Sequence, residues 1–467
     1  MNDAVSFARS AIVAAVLVAS LASRAIADDN LVFDFGSPRK FLGLGVQLWP
    51  TTEHQTERDA LLHDLHIKYV RIAFAAKIAD NQLKYHMSVA QLSAAITKSA
   101  DDDETALCAR LHDEISQLHV GLNLVFWQVP SIWCFNGDDS AVDHPRINPD
   151  HLQDYANWIA ANLLYAKRVR LLPTEIEIIN EPDSVASTQF TPEQYDALLV
   201  AVRATLDRNG LATVGIDGPG VGSAATVAAY TQVLERTGHI SLLKSLSWHD
   251  TDTIRRPEPA GFAGVPLDLL AHAHQLPIAV TEFTNESPQW DRPPFDSGPQ
   301  IRGQNNAADS PDFGVSVAGE ALKLIGDGAN SLYFWQAEDS AWTQDAFGLL
   351  NEEGQRKPSA AALQLFSDLV PANCDAAKSK QASFGLAAAC FRTERGFIIA
   401  AANLSQESRK IDARIVNAPP PVRVASVRQF DSHGPASQTV STSTVTIDGP
   451  NVSTNLPSRS VTVLLLR

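Results

Sequence analysis

The chain has 467 residues, 45% of them hydrophobic, and a formal charge of −16. That length exceeds one ordinary core and implies two or three domains, or one large barrel with an appendage. The hydrophobic share excludes a disordered chain. So acidic a surface repels phosphate backbones, which excludes nucleic acid as the expected partner and leaves a neutral substrate unopposed.

The first residues read as separate from the fold. Arg9 precedes the apolar run AIVAAVLVASLA (11–22), and Ala25-Ile26-Ala27 forms a small-x-small signal before Asp28. That is the layout of a secretory signal peptide over 1–27, with an uncleaved anchor as the alternative. The run is too short to span a bilayer comfortably, and no later segment suffices. The expected location is therefore extracellular or periplasmic, where disulfides are permitted. The four cysteines have no zinc-site spacing, and closeness in sequence favours Cys108–Cys134 and Cys374–Cys390 over buried free thiols.

From 41 to 370, short apolar β-branched runs alternate with helical patterns. The strand candidates are FLGLGVQLW (41–49), KYVRIAF (68–74), LNLVFWQ (122–128), EIEIIN (175–180), ATVGID (212–217), LLKSLSWH (242–249), PIAVTEF (277–283) and SLYFWQ (331–336). Runs without clean polar alternation suit parallel strands covered on both sides. Between them, Leu107, Leu111, Ile115 and Leu118 form one helical face behind the acidic first turn DDDE (101–104). A second helix begins near Asn148, with Leu152, Tyr155, Ile159 and Leu163 at helical spacing. A third opens on Thr191 as N-cap, with Pro192 at the first position and Gln194 completing a capping box, and ends at Gly210.

Eight such strands predict a (β/α)₈ TIM barrel, with an open doubly wound sheet as the alternative. After Pro371 the runs become short and β-rich, separated by Gly, Pro, Asn and Ser, which predicts an antiparallel β-sandwich. The predicted layout is a signal segment over 1–27, a catalytic barrel over 28–372 and a sandwich over 373–467, with LVFDFG (31–36) adding a strand to the sandwich. Three Asn-x-Ser sequons stand at Asn285, Asn403 and Asn451.

The chemistry-bearing stretch is TEIEIINEPDS (174–184). Its isoleucines favour a strand and Pro182 ends it, so Glu181 falls at the strand's C-terminal end, the catalytic face of a barrel. Glu175 and Glu177 lie lower, where a buried acid pairs with a cation. In PIAVTEF a second glutamate, Glu282, ends the seventh strand. Two carboxylates facing each other across a cleft are the equipment of glycoside hydrolysis, one protonated and one ionised. Glu181 as the acid needs a raised pKa, expected from its charged neighbour. Asn180 suits a hydrogen bond to a substrate hydroxyl.

EIIN-Glu181-Pro182 and AVT-Glu282-Phe283 together resemble the clan A glycoside hydrolases, retaining (β/α)₈ glycosidases, and with the sandwich the members related to glucosylceramidases, xylanases and β-xylosidases. The resemblance implies Glu181 as acid/base and Glu282 as nucleophile. It also implies that Arg71, ending the second strand, bonds the nucleophile; pairing with Glu177 is the other reading. His249, ending the sixth strand, occupies a place where such enzymes carry a His or Tyr pointing into the cleft. The tyrosine expected in the following loop is not apparent in His249-Asp250-Thr251-Asp252, which leaves the support of Glu282 there open. Trp335 offers an indole face to a sugar ring, with core packing as its alternative. Trp49, Trp127, Trp133 and Gln336 are further rim candidates. No HExxH, GxSxG or P-loop occurs, so no metal and no cofactor are expected. The expected partner is a carbohydrate and the chain is read as a monomer. The competing reading is a catalytically inactive carbohydrate-binding protein on the same fold.

Overall fold

The computed structural model describes residues 29–51, 53–75, 78, 82–127, 129–134, 147–184, 189–222, 224–250, 274–284, 307–339, 346–380, 385–421, 423–431 and 445–467. The predicted signal segment, the Asn285 sequon and Thr251-Asp252 lie outside them.

Strand β1 (Asp29–Phe41) belongs to a second sheet, and the next eight strands close the barrel: β2 (Gly43–Leu48), β3 (Tyr69–Ala73), β4 (Gly121–Val125), β5 (Glu175–Glu177), β6 (Gly215–Val221), β7 (Ser245–Asp250), β8 (Ile278–Phe283) and β9 (Ser331–Phe334). All neighbours pair in parallel, and Gly43 opposite Ser331 joins the last strand to the first. The described helices are α1 (Gln55–Asp64), α2 (Val89–Ser99), α3 (Asp102–Leu118), α4 (Leu152–Arg168), α5 (Pro192–Arg208), α6 (Ala224–Thr237), α7 (Pro311–Asp327) and α8 (Pro358–Ser367). The predicted capping box opens α5: the Gln194 amide donates to Thr191 Oγ1 at 3.2 Å, and the Thr191 amide donates to Gln194 Oε1 at 2.9 Å. Asp101 caps α3 by accepting the Glu104 amide, and Asp102, Asp103 and Glu104 supply the negative charge that an N-terminal turn favours. Among the described residues no helix is long and apolar enough to cross a membrane.

The remaining strands are β10 (Cys374–Lys380), β11 (Leu386–Thr393), β12 (Gly396–Asn403), β13 (Arg409–Val416), β14 (Val424–Asp431), β15 (Thr446–Asp448), β16 (Asn451–Leu456) and β17 (Ser460–Leu466). With β1 they form one sheet of nine strands in the order β14-β17-β12-β11-β10-β1-β13-β16-β15, antiparallel except where β1 meets β13. This sheet curls on itself, so that β16 also touches β12 and β17, and the result is sandwich-like. Alternation along its strands sorts the two faces. Ala387, Ala389 and Phe391 of β11, with Ile398, Ala400 and Ala402 of β12, join the main core, where the sheet packs on α7 and α8. Leu386, Ala388, Cys390, Phe397, Ile399 and Ala401 face a second apolar cluster inside the curl, together with Leu31, Phe33 and Phe35 of β1.

That two-face division corrects the expected disulfides: all four cysteines are free and buried. Cys374 lies in the main core and Cys390 in the second cluster, on opposite faces of the sheet. Cys108 sits on α3, whereas Cys134 follows the turn after β4 and reaches the Pro130 carbonyl. Burial pushes the Cys108 thiol up to about 11 and those of Cys134 and Cys374 to about 12, so none is a reactive thiolate at neutral pH. The sequon at Asn403 is closed to modification: the residue is buried, and its amide donates to the carbonyls of Glu407 and Pro457.

Candidate active site

The site begins where β5 stops. The expected strand ran to Asn180, but the ladder ends at Glu177 and the chain bends through 178–180. Single hydrogen bonds to both neighbours steer it: Asn180 N to the Phe126 carbonyl at 3.3 Å, then Glu181 N to the Gly220 carbonyl at 3.1 Å. Glu181 is thereby held at φ +41°, a left-handed conformation that costs a non-glycine residue energy and persists only where its surroundings impose it. Asp183 supplies part of that constraint. Its carboxylate accepts the Gly222 amide at 2.7 Å and the Thr226 hydroxyl, tying the Glu181 loop to the end of β6 and the first turn of α6.

Gly222 makes room for the acid. A Cβ there would stand 2.9 Å from Glu181 Cδ and Oε1. Gly222→Ala is therefore expected to push the carboxyl aside in a chain that still folds. A misplacement on the order of 1 Å lowers kcat by about 10²-fold. Unchanged kcat beside an unchanged far-ultraviolet spectrum would show that the carboxyl tolerates the shift.

Arg71 on β3 is the hub. It is fully buried, and every arm of its guanidinium is used. Nε and Nη2 donate to Glu177 Oε2 at 3.1 and 2.6 Å, Nη2 to Asn180 Oδ1 at 2.8 Å, and Nη1 to Gln47 Oε1 at 2.9 Å and Glu282 Oε1 at 2.5 Å. The two sequence readings of Arg71, partner of Glu177 or of Glu282, thus hold together. The bond to Asn180 fixes which end of that amide faces the arginine. Glu282, on β8, has a side chain 12% exposed, so it is open to the cleft on one side only.

His249 on β7 is the second cation-capable group. Its ring is fully buried, with Nδ1 at 2.9 Å from Glu181 Oε1 and 3.5 Å from Glu282 Oε2, and Nε2 at 4.0 Å from Glu177 Oε2. Burial alone would lower its pKa, but the carboxylates of Glu282, Glu177 and Glu181 outweigh it and lift the imidazole to about 10. Burial works to raise Glu177, yet Arg71 and then His249 hold it at about 2.

The two outer carboxyls depart from expectation. Burial pushes Glu181 up, but the His249 hydrogen bond and charge, with Arg71, bring it below its ordinary value. Burial raises Glu282 above its ordinary value despite His249 and Arg71. The like-charge repulsion expected to raise Glu181 is overcome by the imidazole that touches it. These shifts favour an imidazolium beside an ionised Glu181.

Above this network Trp49, Trp127 and Trp335 form an aromatic wall. Trp335 lies 5.7 Å from each of the other two rings, and Trp127 stacks 5.8 Å from the Arg71 guanidinium carbon. Trp127 is half-buried and the other two nearly buried, so its face is the most open to a ligand. Gln336 is fully buried and accepts the Trp49 indole N–H. It positions that ring and is not itself a rim group. Trp133 is also not at the rim: it is fully buried against Trp158.

One oxygen each of Glu181 and Glu282 and a ring nitrogen of His249 lie within 4.8 Å of one another, a spacing that could hold a metal ion. The donor set fits a dication poorly, because Arg71 already neutralises Glu282 and His249 would have to give up a firmly held proton.

The chain is similar to a glycoside hydrolase family 30 subfamily 8 xylanase from Clostridium acetobutylicum, at a TM-score of 0.67 and 15% identity over 94% of this chain and 99% of that one. It is equally similar to the catalytic domain of a family 30 xylanase C from Talaromyces cellulolyticus, at 0.67 and 16% over 94% and 100%. A family 51 arabinofuranosidase from Xanthomonas axonopodis pv. citri follows at 0.58 and 13% over 94% and 100%. These neighbours are clan A glycoside hydrolases, and the chain shares their fold. No protein-family model matches the sequence, and no curated protein matches it.

Proposed function

We propose that the chain is a retaining glycoside hydrolase in which Glu282 attacks the anomeric carbon and Glu181 serves as acid and then base. The observation that carries this is the carboxyl separation: an oxygen of each group lies within 4.8 Å of the other. Pairs about 5–5.5 Å apart suit double displacement, whereas inverting pairs stand about 6.5–9.5 Å apart to admit a water. Arg71 holds Glu282 in place for attack, and the left-handed turn at Glu181 aims its carboxyl at the same space. Glu282 Oε forms the glycosyl ester as the C–O bond to the leaving group breaks, and the proton from Glu181 goes to the leaving oxygen. Water then loses a proton to Glu181 and displaces Glu282 with a second inversion, giving net retention.

The aromatic wall suits the apolar face of a sugar ring. The signal-like N-terminal segment supports export, and the fold neighbours that are xylanases and an arabinofuranosidase make pentose polymers the first substrates to try. The test is a hydrolysis screen over aryl glycosides and polysaccharides, with proton NMR of the first-formed sugar. Release of the anomer present in the substrate is the expected result; the opposite anomer overturns retention. Sugar binding without any hydrolysis would favour the inactive binding protein.

A further inference from the structure

We propose that His249 and Glu181 share one proton across their hydrogen bond, and that this pair, not the Glu181 carboxyl alone, is the acid and base of the site. The inference rests on the glycosidase reading and assigns His249 the job of holding the proton that Glu181 delivers.

The hydrogen-bond inventory around the ring carries it. Arg71 Nη2 has two hydrogens, and both are spent, on Glu177 Oε2 at 2.6 Å and on Asn180 Oδ1 at 2.8 Å. Nη2 therefore has no hydrogen to give His249 Nε2, although the two nitrogens are 3.5 Å apart. A neutral ring protonated only on Nδ1 would leave the Nε2 lone pair without a donor among the described residues. A ring protonated on Nε2 points that hydrogen towards Glu177 Oε2 at 4.0 Å, and its Nδ1 faces Glu181 Oε1 at 2.9 Å. Two protonation states then share one geometry: an imidazolium beside a Glu181 carboxylate, and a neutral imidazole accepting from a Glu181 carboxylic acid.

These two states carry the same total charge. Among the described residues, the groups facing the ring are Arg71 from β3, Glu177 from β5, Glu181 from the loop beyond it and Glu282 from β8. With the proton on His249 the site holds two cations and three anions. Moving it by one hydrogen bond removes one of each and yields a protonated Glu181 opposite an ionised Glu282, the state the first chemical step needs. In that step the proton, once moved from Nδ1 to Glu181, goes on to the leaving oxygen and leaves a neutral imidazole beside a Glu181 carboxylate. In the second, the proton that Glu181 takes from water passes on to Nδ1 and restores the imidazolium. No solvent proton need enter the buried site before the first bond breaks.

The basic limb of the rate profile distinguishes this from a merely structural histidine. A lone carboxylic acid is lost in the carboxylate range, while the pair keeps its proton until the imidazolium, at about 10, gives it up. His249→Gln is expected to move the basic limb of kcat/KM down by about two pH units or more. It should cost about 10²-fold at pH 8 with a poor leaving group, and far less with a dinitrophenyl glycoside, whose departure needs no proton. A basic limb in His249→Gln that coincides with wild type overturns the proposal. A readout independent of activity is the ¹⁵N NMR of the His249 ring in the unaltered protein at pH 7, assigned with His249→Gln. Both ring nitrogens should report as protonated or in exchange with a carboxyl, and a neutral ring protonated on Nδ1 alone overturns the proposal even if that variant fails to fold. A wild-type chain that hydrolyses no glycoside refutes the glycosidase reading instead, and leaves the NMR result to decide the shared proton.

Discussion

Glu282→Gln is expected to lower kcat by about 10⁴-fold or more while leaving the chain folded. The amide keeps the shape of the side chain and an oxygen for Arg71 Nη1, but it cannot form the glycosyl ester. The same change should stabilise the fold at neutral pH. Burial raises the pKa of Glu282 above its ordinary value, so folding disfavours its ionised form. The sign follows: the unfolded chain ionises more readily, and stability falls as pH rises through the carboxylate range. Removing the charge removes that cost, so the melting temperature should rise at pH 7 and match the wild type below about pH 3, where the group is protonated in both states. The stability gain and the loss of turnover are two readings of one strained charge. Turnover at the wild-type rate would dismiss Glu282 as the nucleophile. The companion Glu181→Ala should spare activated aryl glycosides more than poor leaving groups, because only the latter need the acid.

How much of this was legible in the sequence differs from element to element. The barrel strands were visible because parallel strands covered on both faces read as continuous apolar runs, and each strand's ends fall within three residues of its run except at β6. At β5 the isoleucines that suggested a strand to Asn180 instead pack in a bent segment, held by bonds to Phe126 and Gly220 that no local pattern encodes. At β6 the run extends through Gly218-Pro219-Gly220 to Val221, which composition reads as a turn. That Glu181 and Glu282 come together was legible because each ends a strand run. Gly222 and Asp183 were not, because their roles depend on which loop lies beside which. Glu177 was legible as a buried acid needing a cation, but not as a third carboxylate of the cluster around Arg71 and His249. Gln336 and Trp133 were misplaced for one reason: a polar or aromatic residue near a strand end can point into the core as readily as into the cleft. The cysteine pairs failed likewise, because sequence closeness says nothing about the face of a sheet on which a thiol lies.

The local charge arrangement also accounts for a Glu181 pKa that is lowered where the sequence implied a raised one. Two carboxylates alone would repel and raise whichever ionises second. Here Glu177 adds a third negative charge at the base of the pair and Arg71 and His249 add two positive ones, so each group's pKa depends on which partner it touches rather than on the count. Glu181 touches the imidazole and is lowered; Glu282 has a close guanidinium but is buried among the other two acids and is raised.

Arg71→Met tests whether that arrangement depends on its hub. The thioether fills much of the same volume but leaves Glu177 fully buried with His249 as its remaining cation-capable neighbour. Breaking a buried pair by deleting one member costs about 3–5 kcal/mol, because the charge left behind stays desolvated. Urea unfolding at pH 7 should register a loss of that order, and kcat should fall as Glu282 loses the cation that favours its ionised form. The pH dependence gives the sign. In the wild type Glu177 is held at about 2, below its ordinary value, so it contributes stability that is present at neutral pH and lost as pH falls through 2. Without Arg71 its pKa should rise above the ordinary value, and the variant should then gain more stability than the wild type on acidification from pH 7 to 5. Arg71→Lys keeps one charge but cannot span Glu177, Asn180, Gln47 and Glu282 at once, and should fall between. Adding Glu177→Gln to Arg71→Met removes the stranded charge and should recover part of the loss, which a double-mutant cycle measures as coupling. A loss below about 1 kcal/mol in Arg71→Met, with no recovery in the double variant, would show that water or backbone groups already compensate Glu177 and that the guanidinium does not hold the site together.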